Sequence, residues 1–220
     1  MREHRSRLRE RFVQSGPKAI ADYELLELVL FRAIPRRDVK PLAKRLIKAF
    51  GGFSQIISAP PARLLEMDGV GQAVVVELKV VEAAAQRLAQ RNILGREVID
   101  NWDALMDYCH IAMSHLRTEE FRILFLDTRN TIIADEVLQQ GTVNHVPVYP
   151  REVAKRALEL NASALILVHN HPSGDPTPSR ADITMTEQIV AAIGALGITL
   201  HDHVIIGENG DISFRDLGLL

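Results

Sequence analysis

The chain has one cysteine, Cys109, one tryptophan and few aromatic residues, 5% of 220. A single thiol excludes an intramolecular disulfide and any zinc site built from several cysteines, so a metal here must be held by histidine and carboxylate. It also excludes the nucleobase deaminases, whose zinc needs a Pro-Cys-x-x-Cys pair. Long hydrophobic runs are missing too: the longest stretch almost free of charge, Ile189 to Leu200, falls short of the roughly 17 to 25 residues that span a bilayer. The N-terminus, Met1-Arg-Glu-His-Arg-Ser-Arg-Leu-Arg-Glu-Arg-Phe12, lacks the apolar core and small-residue cleavage site of a secretory signal, and Glu3 and Glu10 fit a transit peptide poorly. The expectation is a cytoplasmic protein with no membrane segment. With 47% hydrophobic and 25% charged residues, the chain can build an ordinary globular core.

Its net charge of −2 is unevenly spread. Residues 1–48 hold 13 Lys+Arg against 6 Asp+Glu, or +7, which leaves the other 172 residues at −9. The texture changes along the chain as well. Residues 1–17 read as a basic arm, and 18–93 as a small all-helical domain: apolar positions recur at helical spacing in Lys18–Phe31, Asp38–Phe50 and Gln72–Arg91, with shorter helices near Phe53–Ser58 and after Pro61. From about 98 to 220, strand-like runs at 121–126, 131–138, 164–168 and 203–206 alternate with helical ones at 101–116, 150–161 and 179–196, which predicts an α/β domain.

Chemistry concentrates in Val168-His-Asn-His-Pro-Ser-Gly-Asp-Pro-Thr-Pro-Ser-Arg-Ala-Asp182. Residues i and i+2 of a strand share a side, so His169 and His171 can converge just past the buried Val168. Pro172 keeps His171 extended. A Gly/Pro loop returns the chain to a helix whose first turn carries Asp182, and Ser179 with Asp182 also fits a helix capping box. Two imidazoles and one carboxylate suit a catalytic zinc that keeps a fourth position open.

The spacing His-x-His, seven residues, Ser, two residues, Asp is the JAMM signature of the JAB/MPN+ metallopeptidases, matched by His169, His171, Ser179 and Asp182. The flanks Phe125-Leu-Asp-Thr-Arg-Asn130, Gly141-Thr-Val-Asn144, Pro150-Arg-Glu-Val153 and Asp202-His-Val-Ile-Ile206 resemble the bacterial RadC family over nearly the whole chain. The resemblance implies an MPN/JAB (cytidine-deaminase-like) sheet flanked by helices, Zn2+ on His169, His171 and Asp182, and hydrolysis of a peptide or isopeptide bond in a protein substrate. It further implies an upstream glutamate as general base, for which Thr118-Glu-Glu-Phe121 offers Glu119 and Glu120; counting back from Asp127 favours Glu119. Ser179 would then hydrogen-bond the developing oxyanion.

Other histidines fit less well. His201-Asp-His203 has no returning carboxylate and reads as packing or hydrogen bonding near the sheet; His110 and His115 lie in a helix without a ligand pair; His145 is a cleft-lining expectation. Cys109 reads as a small core residue. In the helical domain, Leu64-Leu-Glu-Met-Asp-Gly-Val-Gly-Gln-Ala73 resembles a helix-hairpin-helix turn. Gly69-Val70-Gly71 there could present backbone N–H groups to a phosphate or could simply plug the core with Val70. With Arg36, Arg37, Lys40 and Lys44 in the basic segment, this gives a second expectation: a DNA-associated repair or recombination accessory protein whose metal site is structural or vestigial.

Overall fold

The computed structural model describes residues 2–140, 148–208 and 210–220. Gly141–Asn144 and His145 lie outside the described residues. The chain divides into two units, one ending at Ala85 and the other running Gln86–Leu220.

The first unit is helical throughout: α1 (Arg2–Ser15), α2 (Asp22–Ala33), α3 (Lys40–Phe50), α4 (Phe53–Ser58), α5 (Pro61–Leu65) and most of α6 (Gln72–Ile93). Leu26, Leu30, Leu46, Ile56, Leu64 and Leu78 form its core. The segment read from sequence as a basic arm over 1–17 is instead a helix built into this unit. Leu8 is buried, and the Arg5 guanidinium donates to the carbonyls of Phe31, Ile34 and Arg37 at the end of α2, groups that no helical N–H can reach. Charge density masked a helix whose apolar face is a single leucine with a half-buried Phe12. At the hairpin, Gly69 adopts φ +87, a left-handed value that favours glycine, and Val70 is buried against the core.

The boundary falls inside α6 rather than in the 93–98 linker expected from sequence, because Ala89 and Ile93 pack into the second core. That second unit holds α7 (Trp102–Met113), β1 (Glu120–Leu126), β2 (Ile132–Gln140), α8 (Pro150–Glu159), β3 (Ala164–Asn170), α9 (Arg180–Gly194), β4 (Thr199–Ile206) and β5 (Asp211–Ser213). The sheet order is β2-β1-β3-β4-β5, antiparallel except for the β3/β4 pair. β3 is buried along its whole length, as a central strand covered on both faces must be. Ala164, Ile166 and Val168 face α7 with Leu124 and Leu126, whereas Leu165 and Leu167 face α8 and α9 with Phe121, Ile123 and Phe125. β4 starts four residues before the strand expected at His203, and the short β5 was not expected at all.

Candidate metal centre

His169 continues the Leu165/Leu167 face of β3 and so emerges beneath α9. His171 follows two residues later, past the strand end. The core-facing stripe of α9 runs Asp182, Thr186, Ile189, Ile193, which brings Asp182 over the same edge. The three side chains offer ligand atoms that all lie within 4.8 Å of one another. His169 Nε2 stands 3.0 Å from His171 Nε2 and 3.5 Å from Asp182 Oδ1, and His171 Nε2 is 3.5 Å from Asp182 Oδ2. Tetrahedral ligands on zinc bonds of about 2.0–2.1 Å are separated by about 3.3 Å, so the donor set fits the ion in kind and in spacing.

Both imidazoles are aimed. His171 Nδ1 donates to the carbonyl of Asp175 at 2.8 Å, which leaves its Nε2 lone pair for the centre. His169 Nδ1 lies 2.7 Å from Nε2 of His203, whose own Nδ1 is 2.7 Å from Thr186 Oγ1. Asp182 doubles as part of the capping box of α9: its Oδ2 accepts from Ser179 N at 2.7 Å, and Ser179 Oγ accepts from Asp182 N at 3.2 Å. The Ser179 hydroxyl hydrogen is left to donate elsewhere.

The loop between His171 and Ser179 is fixed by glycine. A side chain at Gly207 would put its first carbon 2.5 Å from the Gly174 carbonyl and 2.9 Å from Pro176. This backbone-to-backbone approach, with Gly207 N bonded to Gly210 O and His171 N to Ile206 O, clamps the loop to the end of β4.

Strand alternation separates the two upstream glutamates. Glu119 precedes β1 on the side of Phe121 and lines a cavity of about 800 Å³ together with His169, His171, Ser179 and Asp182. Glu120 turns to the α7 side, where its carboxylate pairs with Arg122 at 2.9 Å. Asn170, between the two histidines, points the same way as Glu120 and ties the segment carrying Glu119 to β3. Its Oδ1 accepts from Glu120 N at 2.8 Å, and its Nδ2 donates to Thr118 O at 3.2 Å and Leu116 O at 3.4 Å.

Burial pushes His169 down to about 4, an effect that the Asp182 charge opposes and His171 reinforces. Burial likewise holds His203 well below the usual imidazole range. Burial alone would raise the Asp182 carboxyl, but His171, His169 and the Ser179 cap together hold it well below the carboxylate range. His171 moves up, chiefly through its bond to Asp182. Between about pH 6.5 and 4 the unfolded chain therefore binds protons at positions 169 and 203 that the folded chain refuses, so stability is full above this window and is lost as pH falls through it. His171 has the opposite sign and offsets part of the loss. The metal-free protein is expected to lose about 2 kcal/mol from His169 alone between pH 7 and 5. Urea midpoints at the two pH values check this; an unchanged midpoint contradicts two buried neutral rings.

Two other histidines serve bonds elsewhere: His201 Nε2 meets Asn130 Oδ1 at 2.6 Å and His110 meets Asp211 at 2.9 Å. Asp202 accepts from Ser213 Oγ and from the backbone of His203 and Arg215. Cys109 is buried and its thiol is pushed up to about 12 by that burial. Thr186 and Asn170 carried no sequence signal, because each acts through elements distant in the chain.

Residues 99–219, which carry the five-stranded sheet and the converging His-His-Asp group, match a RadC-like JAB domain, and residues 2–76 match the UPF0758 N-terminal family. The chain belongs to the RadC-like JAB family. A UPF0758 protein of Rhodobacter capsulatus is 66% identical over 97% of this chain and 100% of its own length, and one of Ruegeria pomeroyi is 62% identical over 100% of this chain and 98% of its own. Among the described residues, no helix is long and apolar enough to cross a membrane.

Proposed function

We propose that this chain is a zinc-dependent hydrolase of the JAMM type that cleaves a peptide or isopeptide bond. The observation that carries the reading is the gathering of three metal-ligand atoms, Glu119 and Ser179 around one cavity. When bound, zinc supplies a Lewis acid that brings the pKa of water from 15.7 to about 7 and polarises a carbonyl. His169, His171 and Asp182 would hold it, contributing a single negative charge that would leave the centre cationic. Glu119 takes the proton of the attacking water and delivers it to the leaving amine. Ser179, its lone pair already engaged by Asp182 N, donates its hydrogen to the oxyanion at the N-terminus of α9, whose dipole acts in the same sense.

The test is a mixed peptide and isopeptide library incubated with zinc-loaded protein and read by mass spectrometry. Cleavage by the wild type is expected, with a rate about 10² to 10⁴ lower in Glu119→Gln at equal zinc content. No cleavage by the fully loaded wild type counts against the reading.

A second reading concerns the helical unit. Arg5, Arg11, Arg32 and Arg45 are engaged within the unit, by Ile34 O, Glu24, Glu77 and Asp68 O. Arg36, Arg37 and Lys44 are exposed, and the Lys40 and Lys44 ammonium groups both approach the Tyr23 ring, at 5.5 and 5.2 Å. We propose this face as a weak, salt-sensitive site for DNA phosphates. Reversing Arg36, Arg37, Lys40 and Lys44 to Glu should abolish duplex or branched-DNA binding in a fluorescence anisotropy titration; full binding by that variant excludes this face.

A further inference from the structure

His203 and Thr186 lie behind the proposed metal ligands, and neither reaches the cavity. The hydrogen bonds that join them to His169 can be oriented from the one acceptor that is fixed, a backbone carbonyl. Thr186 Oγ1 is 2.6 Å from the backbone carbonyl of Asp182, one turn earlier in α9. A carbonyl only accepts, so the single hydroxyl hydrogen of Thr186 points there. The same oxygen lies 2.7 Å from His203 Nδ1, and with its hydrogen committed it can only accept, which places a proton on Nδ1 of His203. His203 is fully buried and packed against the rings of Phe121 and Phe214, an apolar setting in which an imidazole stays uncharged. Its Nε2 therefore keeps a lone pair, and His169 Nδ1, 2.7 Å away, must be the donor. His169 is itself buried, and a single proton on Nδ1 leaves its Nε2 bare where it faces His171 and Asp182. The opposite orientation would place an N–H of His169 where a metal must sit.

We infer that His203, oriented by Thr186, is a positioning residue that fixes the tautomer and ring orientation in which His169 can bind a metal. The inference rests on the proposed metal centre. The chain of bonds starts at the main-chain carbonyl of Asp182 and ends beside the carboxylate of the same residue, so the first turns of α9 set both an anionic ligand and the protonation pattern of an imidazole ligand. The outer partner of His169 is a neutral ring instead of a carboxylate, and this keeps Asp182 as the sole anion among the ligands and their ring partners. Loss of such an outer partner generally weakens metal binding by 10 to 100-fold.

The variants are Thr186→Val, which keeps the shape and removes the hydroxyl, Thr186→Ser, which restores it, and His203→Phe. Zinc dissociation constants come from competition with a chromophoric chelator, and the thermal midpoint of each metal-free protein is measured in parallel. Thr186→Val and His203→Phe are expected to bind zinc about 10 to 100-fold more weakly, with Thr186→Ser near the wild type. Wild-type affinity in Thr186→Val, whatever its midpoint, overturns the inference and reduces Thr186 to a packing residue. Nitrogen-15 spectra of the metal-free wild type need no variant to fold: they should show His169 and His203 both protonated on Nδ1 and bare on Nε2. A His169 protonated on Nε2 overturns the inference by itself. Failure of the wild type to bind zinc would refute the metal centre, whereas the spectra would still decide the tautomers.

Discussion

Asp182→Ala and His171→Ala will each reduce zinc from about one ion per chain to a trace while leaving the fold in place. The argument is one of position. Both residues sit at the rim of the sheet, His171 beyond the end of β3 and Asp182 in the first turn of α9, and neither side chain belongs to the buried core. Removing either one leaves two ligands, too few for a catalytic site that normally takes three from the protein. Asp182→Ala carries a second penalty, the loss of its bond from Ser179 N, worth about 1 kcal/mol by analogy with other helix caps. Asp182→Asn retains that bond and removes the charge, and so separates the two effects. Metal content by mass spectrometry beside circular dichroism makes the measurement. Full occupancy in both alanine variants would refute the ligand assignment.

The largest expected loss of stability comes from a different place. Arg122, on the α7 side of β1, binds Asp135 at 2.7 Å, Glu120 at 2.9 Å and the Tyr108 hydroxyl at 2.6 Å, and Tyr108 also donates to Asp135. The Asp135 side chain is wholly buried, and Gln90 adds a further bond to it at 2.8 Å. Burial works against the charge on Arg122, but Asp135 outweighs it and raises the guanidinium further. In Arg122→Met two buried carboxylates lose their cation, a change that typically costs 3–5 kcal/mol. Urea unfolding should register a fall of about that size, and a loss below about 1 kcal/mol would mean that water or neighbouring groups already compensate. Among the described residues the Nε of Arg122 has no partner, so the network is not fully satisfied by them.

How far the site was legible follows from the range of its interactions. His169, His171, Ser179 and Asp182 lie within one strand–loop–helix segment, where alternation along a strand and the geometry of a helix start can be read directly from spacing. The same alternation places Glu119 and Glu120 on opposite faces once the start of β1 is known. Thr186 and His203 meet only because β4 runs parallel to β3 under α9, and no local pattern encodes that. His201 and His203, interrupted by Asp202, also hid the first half of β4, since polar residues there bond inward to Ser213, Thr186 and Asn130. Helix α1 was missed for the reverse reason: its charges dominate the pattern, yet Arg5 folds back onto the end of α2.

The two halves of the proposed metal centre differ in permanence. His169 ends a strand that is buried along its length and hydrogen-bonded to neighbours on both sides, so its amide belongs with the slowest-exchanging protons of the unit. Asp182 rides on the first turn of a helix, where opening requires little more than the breaking of a cap. The assembled site therefore comes apart from the α9 side, and its lifetime is set by the Ser179–Asp182 capping box and not by the core.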